Sequence, residues 1–347
     1  MAKTSSGDWS PMVYNAIKWT APNQGKQTIS YTTSMGITRV PMAYHGGVDW
    51  NESGEITEKN IERFSDWVNQ NIPIDYCGPV VMDYEKPWWK ELSSKDISPE
   101  RLQDILEVYI EGIRVALRAA PNAQWGYWGL PIMRNTSESW INRGLSLEPL
   151  LSSCIALYPD AYDSSRGKNN SGLTKKHIER VLAASGGRMP VYVYVSPRFT
   201  GEGGDRSYFV PDDVFLRQVN SAMQAVWIDS DGNQHRIQGL ILWDSYGFTS
   251  ENEWEMLDIR HTRYFKLLQA LVTAWEKAMI GKNVIVTPSK KSICQYGLPE
   301  PQNSGEILKK SGGQKIRDDR VQEERTTDGR IREDKVQSGR IPSGREN

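Results

Sequence analysis

Phenylalanine and cysteine are scarce in this chain. Its 347 residues include 6 Phe and 3 Cys, against 13 Trp and 15 Tyr. Cys77, Cys154 and Cys294 lie far apart, and His45, His177, His235 and His261 are equally scattered. No CxxC pair or Cys/His ligand spacing arises, so neither a disulfide framework nor a zinc site is expected. No apolar run approaches the length of a membrane-spanning helix, and the stretch from Met1 to Trp9 has no hydrophobic signal core. The expectation is a soluble, unexported chain with no membrane partner. An excess of one charge sign is missing too: 42 basic and 43 acidic side chains leave a net charge of −1. Nucleic acid and anionic lipid select a clustered basic surface, so neither is an expected partner. No GxGxxG or Walker loop follows an early strand, and nothing in the spacing calls for a cofactor or metal.

What is present is aromatic with a polar handle. Trp and Tyr rings stack on the C–H faces of sugars while their edges hydrogen-bond. Most will fill the core; the bias toward them still favours a sugar or another polar organic ligand. Hydrophobic residues at 38% and charged residues at 24% allow a sizeable core.

Composition changes near residue 282. After Tyr296 no aromatic residue occurs, and Lys315-Ile-Arg-Asp-Asp-Arg-Val-Gln322 returns as Arg330-Ile-Arg-Glu-Asp-Lys-Val-Gln337, offset by 15 residues. Such charged repeats bury no face, so residues 283–347 are expected to be a disordered tail. A short amphipathic interaction helix is the alternative there.

Before the break, short apolar runs alternate with helical patterns. Strands are expected at Met12–Ile17, Thr28–Tyr31, Thr38–Ala43, Pro79–Asp83, Gln124–Trp128, Cys154–Tyr158, Pro190–Val195 and Gly239–Trp243. Helices are expected after the caps Thr57 and Ser98, and over Thr174–Ala184, Asp212–Val226 and Arg260–Met279. This alternation predicts an α/β fold over residues 1–282, a single (β/α) TIM-like barrel, with a doubly wound open sheet as runner-up.

A barrel assembles its active site at the carboxyl ends of its strands. Those ends read Val80-Val-Met-Asp83-Tyr-Glu85, Trp125-Gly-Tyr127-Trp128, Ala156-Leu-Tyr158-Pro-Asp160-Ala-Tyr162-Asp163, Tyr192-Val-Tyr194 and Leu242-Trp243-Asp244. Core packing would place aliphatic residues there, so Tyr127, Trp128, Tyr158, Asp160, Tyr162, Tyr194, Trp243 and Asp244 are the candidate substrate-binding set. Asp83 and Glu85 stand two apart on a strand and therefore share a face; if Val81 points inward, so do both acids. Two neighbouring carboxylates cannot ionise independently, and the one that keeps its proton is the acid that glycosidic cleavage needs. The plain alternative is a solvated acid pair matched with Lys86 and Lys90.

His45-Gly-Gly-Val, followed by a helix and by Val80-Val-Met-Asp83-Tyr-Glu85-Lys-Pro-Trp88, resembles the hyaluronidase family of glycoside hydrolases. The order continues in Trp125-Gly-Tyr-Trp-Gly-Leu-Pro131, Ala156-Leu-Tyr-Pro-Asp-Ala-Tyr162, Pro190-Val-Tyr-Val-Tyr194 and Gly239-Leu-Ile-Leu-Trp243. The resemblance covers roughly residues 10 to 280 and implies a barrel that cleaves polysaccharide. It implies Glu85 as acid/base and Asp83 as the group that orients the substrate's acetamido arm, whose carbonyl oxygen is the nucleophile. It also implies Tyr162 and Trp243 as walls of the subsite for the reacting sugar. The chain departs from the family in carrying Trp128 where a tyrosine holds the acetamido group, and in lacking the family's disulfide cysteines and secretion signal. Lys86, Lys90, Arg134 and Arg198 are the cations near the motifs, few for a polyanion such as hyaluronan.

The leading reading is an endo-acting glycosidase on an N-acetylhexosamine-containing polysaccharide. A second keeps Glu85 as acid and takes Asp160, Asp163 or Asp244 as nucleophile or base. A third is a barrel that binds glycans without cleaving them. Gly201-Glu-Gly-Gly204 reads as a flexible loop. The sequons at Asn51, Asn135 and Asn169 carry no weight in an unexported chain.

Overall fold

A computed structural model describes residues 9–132, 144–163, 171–200, 208–280 and 284–285. Apart from residues 284–285, which form a short strand where disorder was expected, the charged tail lies outside the described residues, as do the Gly201–Gly204 loop, Arg134 and the sequons at Asn135 and Asn169. The chain divides into two units, Met1–Glu300 and Pro301–Asn347, and every element below belongs to the first.

The architecture is mixed α/β with parallel sheets. Strand β1 (Met12–Asn15) enters after Trp9, whose indole N–H bonds the Ile237 carbonyl at 2.9 Å. The expected strand at Thr28–Tyr31 is instead part of helix α1 (Lys26–Ser34). The Asp258 carboxylate accepts the Gln27 and Thr28 N–H groups at 2.8 Å each. That distant acid satisfies the helix's first-turn donors, and the β-branched run yields to it.

The run Thr38–Ala43 forms β2 (Thr38–Arg39) and β3 (Met42–Ala43), interrupted at Pro41, which has no N–H to give a ladder. β2 pairs with β1, whereas β3 pairs with β4 (Pro79–Met82). Helix α2 (Glu58–Asn71) fills the connection, started by a Thr57–Asn60 capping box. After β4 come the short α3 (Trp89–Leu92) and the long α4 (Pro99–Ala119), the latter opened by Ser98 and Pro99. β5 (Gln124–Tyr127) pairs along β4.

Beyond α5 (Glu148–Ser153), the expected strand at Cys154–Tyr158 is reduced to single bridges: Tyr158 to Trp128, Leu157 to Val191 and Asp160 to Tyr194. Pro159 follows it and separates the Asp160 bridge from those of Leu157 and Tyr158. α6 (Ser171–Ser185) leads to β6 (Tyr192–Val195), and α7 (Asp212–Gln224) to a small antiparallel hairpin, β7 (Trp227–Ile228) with β8 (Gln234–His235). β9 (Gly239–Leu242) pairs in parallel with β6 on one side and β1 on the other. α8 (Trp254–Met279) packs on α1, and β10 (Val284–Ile285) adds to β8.

Side chains sort into two buried sets by alternation along the strands. Val80, Met82, Trp125, Tyr127, Val193, Val195, Leu240 and Leu242 join the helices in one large core. Tyr14, Ala16, Val40, Val81, Ala156, Tyr158, Tyr162, Tyr192, Tyr194 and Ile241 form a second, with Met42, Trp128 and Trp243 against it. Val81 does point to this second, strand-only set. Its lower part is polar: Tyr158 Oη donates to the Gln124 carbonyl, and Tyr192 Oη donates to Gln124 Oε1 at 2.7 Å.

Two expectations about cysteine and membranes meet the structure here. Cys77 is disulfide-bonded, contrary to the spacing argument, which sees only local ligand patterns and no long-range pairing. Cys154 is a free, buried thiol whose pKa burial raises to about 12. Among the described residues no helix is long and apolar enough to cross a membrane.

Candidate active site

β4 ends inside the second core, and its continuation, still bonded through the Asp83 N–H to the Ala43 carbonyl at 2.9 Å, carries Asp83 in the direction set by Val81, with Glu85 two residues on. Asp83 is half-buried and Glu85 is exposed. Burial, then the neighbouring Glu85 carboxylate, raise the Asp83 pKa to about 7, with Glu52 adding to the rise and Lys18 opposing it. One proton therefore stays in this neighbourhood up to near-neutral pH. The residue that keeps it is Asp83, the deeper of the two.

The strand ends around the pair supply rings. Trp89 of α3 stacks on Trp128 at 5.6 Å and 19°, and Trp128 stacks on Tyr162 at 5.9 Å and 28°. Tyr162 stacks on Trp243 at 6.1 Å and 25°, and Phe248 closes the row edge-on at 5.9 Å. Gly129 lets the row start: its φ is +69°, and a Cβ there would stand 2.8 Å from the Trp89 ring. The Trp128 indole is hydrogen-bonded to the Tyr162 hydroxyl, whose pKa is raised first by burial and then by the charges of Asp160, Tyr194 and Asp83. Trp243 Nε1 donates to Tyr44 Oη at 3.3 Å.

Three members of this constellation escaped the sequence reading. Lys18 follows Tyr14 and Ala16 by two-residue steps and holds its ammonium 4.3 Å from the Tyr44 ring centroid. Tyr44 follows Met42 in the same way; burial raises its hydroxyl pKa, and the Asp83 charge adds to the rise. Trp89 belongs to the Trp88-Trp89 pair, whose second ring only the fold shows to be the start of the row. Continuing the two-residue alternation past the ends of β1 and β3 was the signal that would have found the first two.

The structure brings together Asp83, Glu85, Trp128, Tyr162 and Trp243 at the strand ends. Tyr158 and Tyr194 sit lower: both are fully buried, with Tyr158 bonded to Gln124 and Tyr194 Oη 3.9 Å from Met42 Sδ. Tyr158 is part of a floor, a correction to its expected place as a binding residue, whereas Tyr194, though buried, stays near enough to Asp83 to feel its charge. Asp160 is half-buried, and its Oδ1 accepts the Tyr162 N–H at 3.2 Å.

Two expected binding residues are misplaced. Tyr127 faces away, as alternation next to Trp128 requires; its hydroxyl donates to the Tyr109 carbonyl at 2.9 Å in the outer core. Asp244 is 0% exposed and spans Arg198 Nε at 2.8 Å and His261 Nε2 at 2.8 Å. Arg198 is 4% exposed, so this cation is spent on Asp244 and does not face a ligand. Among the described residues no group of three or more His, Cys, Asp or Glu side chains gathers to hold a metal ion.

No family model matches the chain, and no curated protein matches it. Among solved structures, the chain is similar to bee venom hyaluronidase, with 16% identity, 75% of this chain and 99% of that chain covered, and a TM-score of 0.46. The bee venom hyaluronidase complex with a hyaluronic acid tetramer gives 14% identity, 79% and 99% coverage, and a TM-score of 0.46. The catalytic core of xylanase A gives 11%, 72% and 92%, and a TM-score of 0.34. These likenesses are loose, and the reading of the site rests on its own geometry.

Proposed function

We propose that the chain is a glycoside hydrolase of hyaluronidase-like type, acting on an N-acetylhexosamine-containing polysaccharide within a closed (β/α) barrel over residues 1–282. Continuous pairing supports the barrel: β1 to β2, the β2–β3 run to β4, β4 to β5, bridges from there to β6, then β9 back to β1. The observation that carries the activity is the acid pair on the inward face of β4, beside a row of near-parallel rings built from Trp89, Trp128, Tyr162 and Trp243. Flat rings accept the C–H faces of pyranose units, and adjacent acids that share a proton supply general-acid chemistry.

In this reading Glu85, the exposed member, gives its proton to the leaving glycosidic oxygen as the anomeric C–O bond breaks. The acetamido carbonyl oxygen of the same sugar forms the new bond to the anomeric carbon, and Asp83 holds the acetamido N–H in line. Water then opens the cyclic intermediate, Glu85 takes back a proton, and configuration is retained. The proton that Asp83 holds at rest passes to Glu85 for the bond-breaking step, leaving the Asp83 carboxylate to accept the acetamido N–H.

The Glu85→Gln variant tests this. Release of reducing ends from hyaluronan, chondroitin, chitin and uncharged glycans should fall by about 10³-fold while oligosaccharide binding, followed by calorimetry, persists. Unchanged turnover would remove Glu85 from its role. A two-carboxylate mechanism keeps Asp160 and Asp163 as its candidates, because Asp244 is sealed by Arg198 and His261. Cleavage of glycans that lack an acetamido group would favour it.

A further inference from the structure

Tyr84 lies between the two acids and points the opposite way, into the outer core. Its hydroxyl donates to Asp49 Oδ2 at 2.6 Å and accepts the Trp88 indole N–H at 3.2 Å. Asp49 is wholly buried, and it also accepts the Ser53 hydroxyl at 2.9 Å and the Gly54 N–H at 2.7 Å. One buried carboxylate thus ties the loop from His45 to Gly54 to the residue between the acids. The loop needs its glycines for this: a Cβ at Gly46 (φ +82°) would lie 2.0 Å from the Asp49 carbonyl oxygen.

The backbone of the acid segment is held at three successive carbonyls. Gly46 N–H donates to the Asp83 carbonyl at 3.0 Å, and Trp89 N–H to the Glu85 carbonyl at 2.7 Å. Between them, the Tyr109 hydroxyl of α4 donates to the Tyr84 carbonyl at 2.7 Å. The same loop carries Glu52, whose charge acts on both Asp83 and Tyr84. Around Asp83 stand Glu85, Glu52 from the loop, Lys18 beyond β1, Tyr44 beyond β3 and Tyr194 from β6.

From this geometry we infer that Tyr84, with Asp49 behind it, is a positioning residue: their hydrogen bond sets how far Asp83 and Glu85 reach into the site. The consequence for catalysis rests on the glycosidase reading; the placement of the acids does not. Losing the Tyr84 hydroxyl takes one of its donors from the buried Asp49 carboxylate and the acceptor from the Trp88 indole N–H, and small displacements of reacting groups are costly to rate. Tyr84→Phe removes only the hydroxyl and keeps the ring against Tyr109.

The test follows the Asp83 carboxyl by carbon NMR across pH, together with kcat and KM on an acetamido glycan and the melting temperature. Tyr84→Phe should lower the Asp83 midpoint toward the ordinary carboxylate range, as the loop and Glu52 draw away. It should also cut kcat about tenfold with KM little changed. An Asp83 midpoint that stays in place overturns the inference, including when the melting temperature drops. Should Tyr84→Phe fail to fold, Tyr109→Phe releases the central carbonyl and carries the same readouts. A wild-type protein that cleaves no acetamido glycan would end the glycosidase reading, and the NMR midpoint would still decide the positioning role.

Discussion

At the scale of single residues, the proton on Asp83 ties chemistry to stability. A carboxyl with a folded pKa of about 7 against an ordinary 3.8 favours the folded state most below the ordinary value. That contribution is lost as pH rises through about 7. The Asp83→Asn variant should therefore outlast the wild type in urea by about 1–3 kcal/mol at pH 8, with the gap closing below pH 4. Equal pH dependence of the two proteins would refute this. Turnover should fall on the alkaline side of about 7, where Asp83 gives up its proton. Asp244 makes the opposite case: Asp244→Ala strands Arg198 and His261 inside the protein and should cost about 3–5 kcal/mol in denaturant titrations. The acid pair was readable from its place after the Pro79–Met82 run and from the aromatic company of the strand ends, whereas Tyr127 was expected at the site although alternation next to Trp128 turns it to the outer core. The sealing of Asp244 was not legible, because the partners that consume it lie 46 and 17 residues away.

At the scale of elements, local signals did well where local physics decides. Ser98 and Thr57 start α4 and α2 as their side chains require. They failed at Thr28–Tyr31, where Asp258 reaches across from α8 to cap α1, a tertiary contact that no window of neighbours contains. Pro41 explains why the expected strand Thr38–Ala43 appears as two fragments. Tight packing inside the strands offers a test of the inward set. A Cβ at Gly126 would meet the Ala156 carbonyl oxygen at 2.2 Å and the Tyr158 ring at 2.9 Å. Gly126→Ala should therefore destabilise the protein by about 3 kcal/mol in a thermal or urea melt. A neutral result would mean that this part of the interior has room to shift.

At the scale of the whole molecule, the alternation of strand and helix announced the α/β class, and the ordered motifs announced the strand ends that carry the acids. Less legible was the division of labour among the aromatics, because composition counts rings without saying which are walls, which are floor and which are ordinary core. The unit ending at Glu300 contains every described element. A chain stopped there should melt at the same temperature and bind the same oligosaccharides as the full one; loss of either would give the remaining segment a structural part.

The tyrosines below the acid pair have an optical consequence. Tyr158, Tyr192 and Tyr194 all resist ionisation because they are buried, and Tyr14 shares their surroundings. Alkali should leave these phenols colourless to the phenolate band until the protein comes apart, then reveal them together. A spectrophotometer would see a sudden step in place of a gradual curve, a built-in gauge of whether the inner layer is whole.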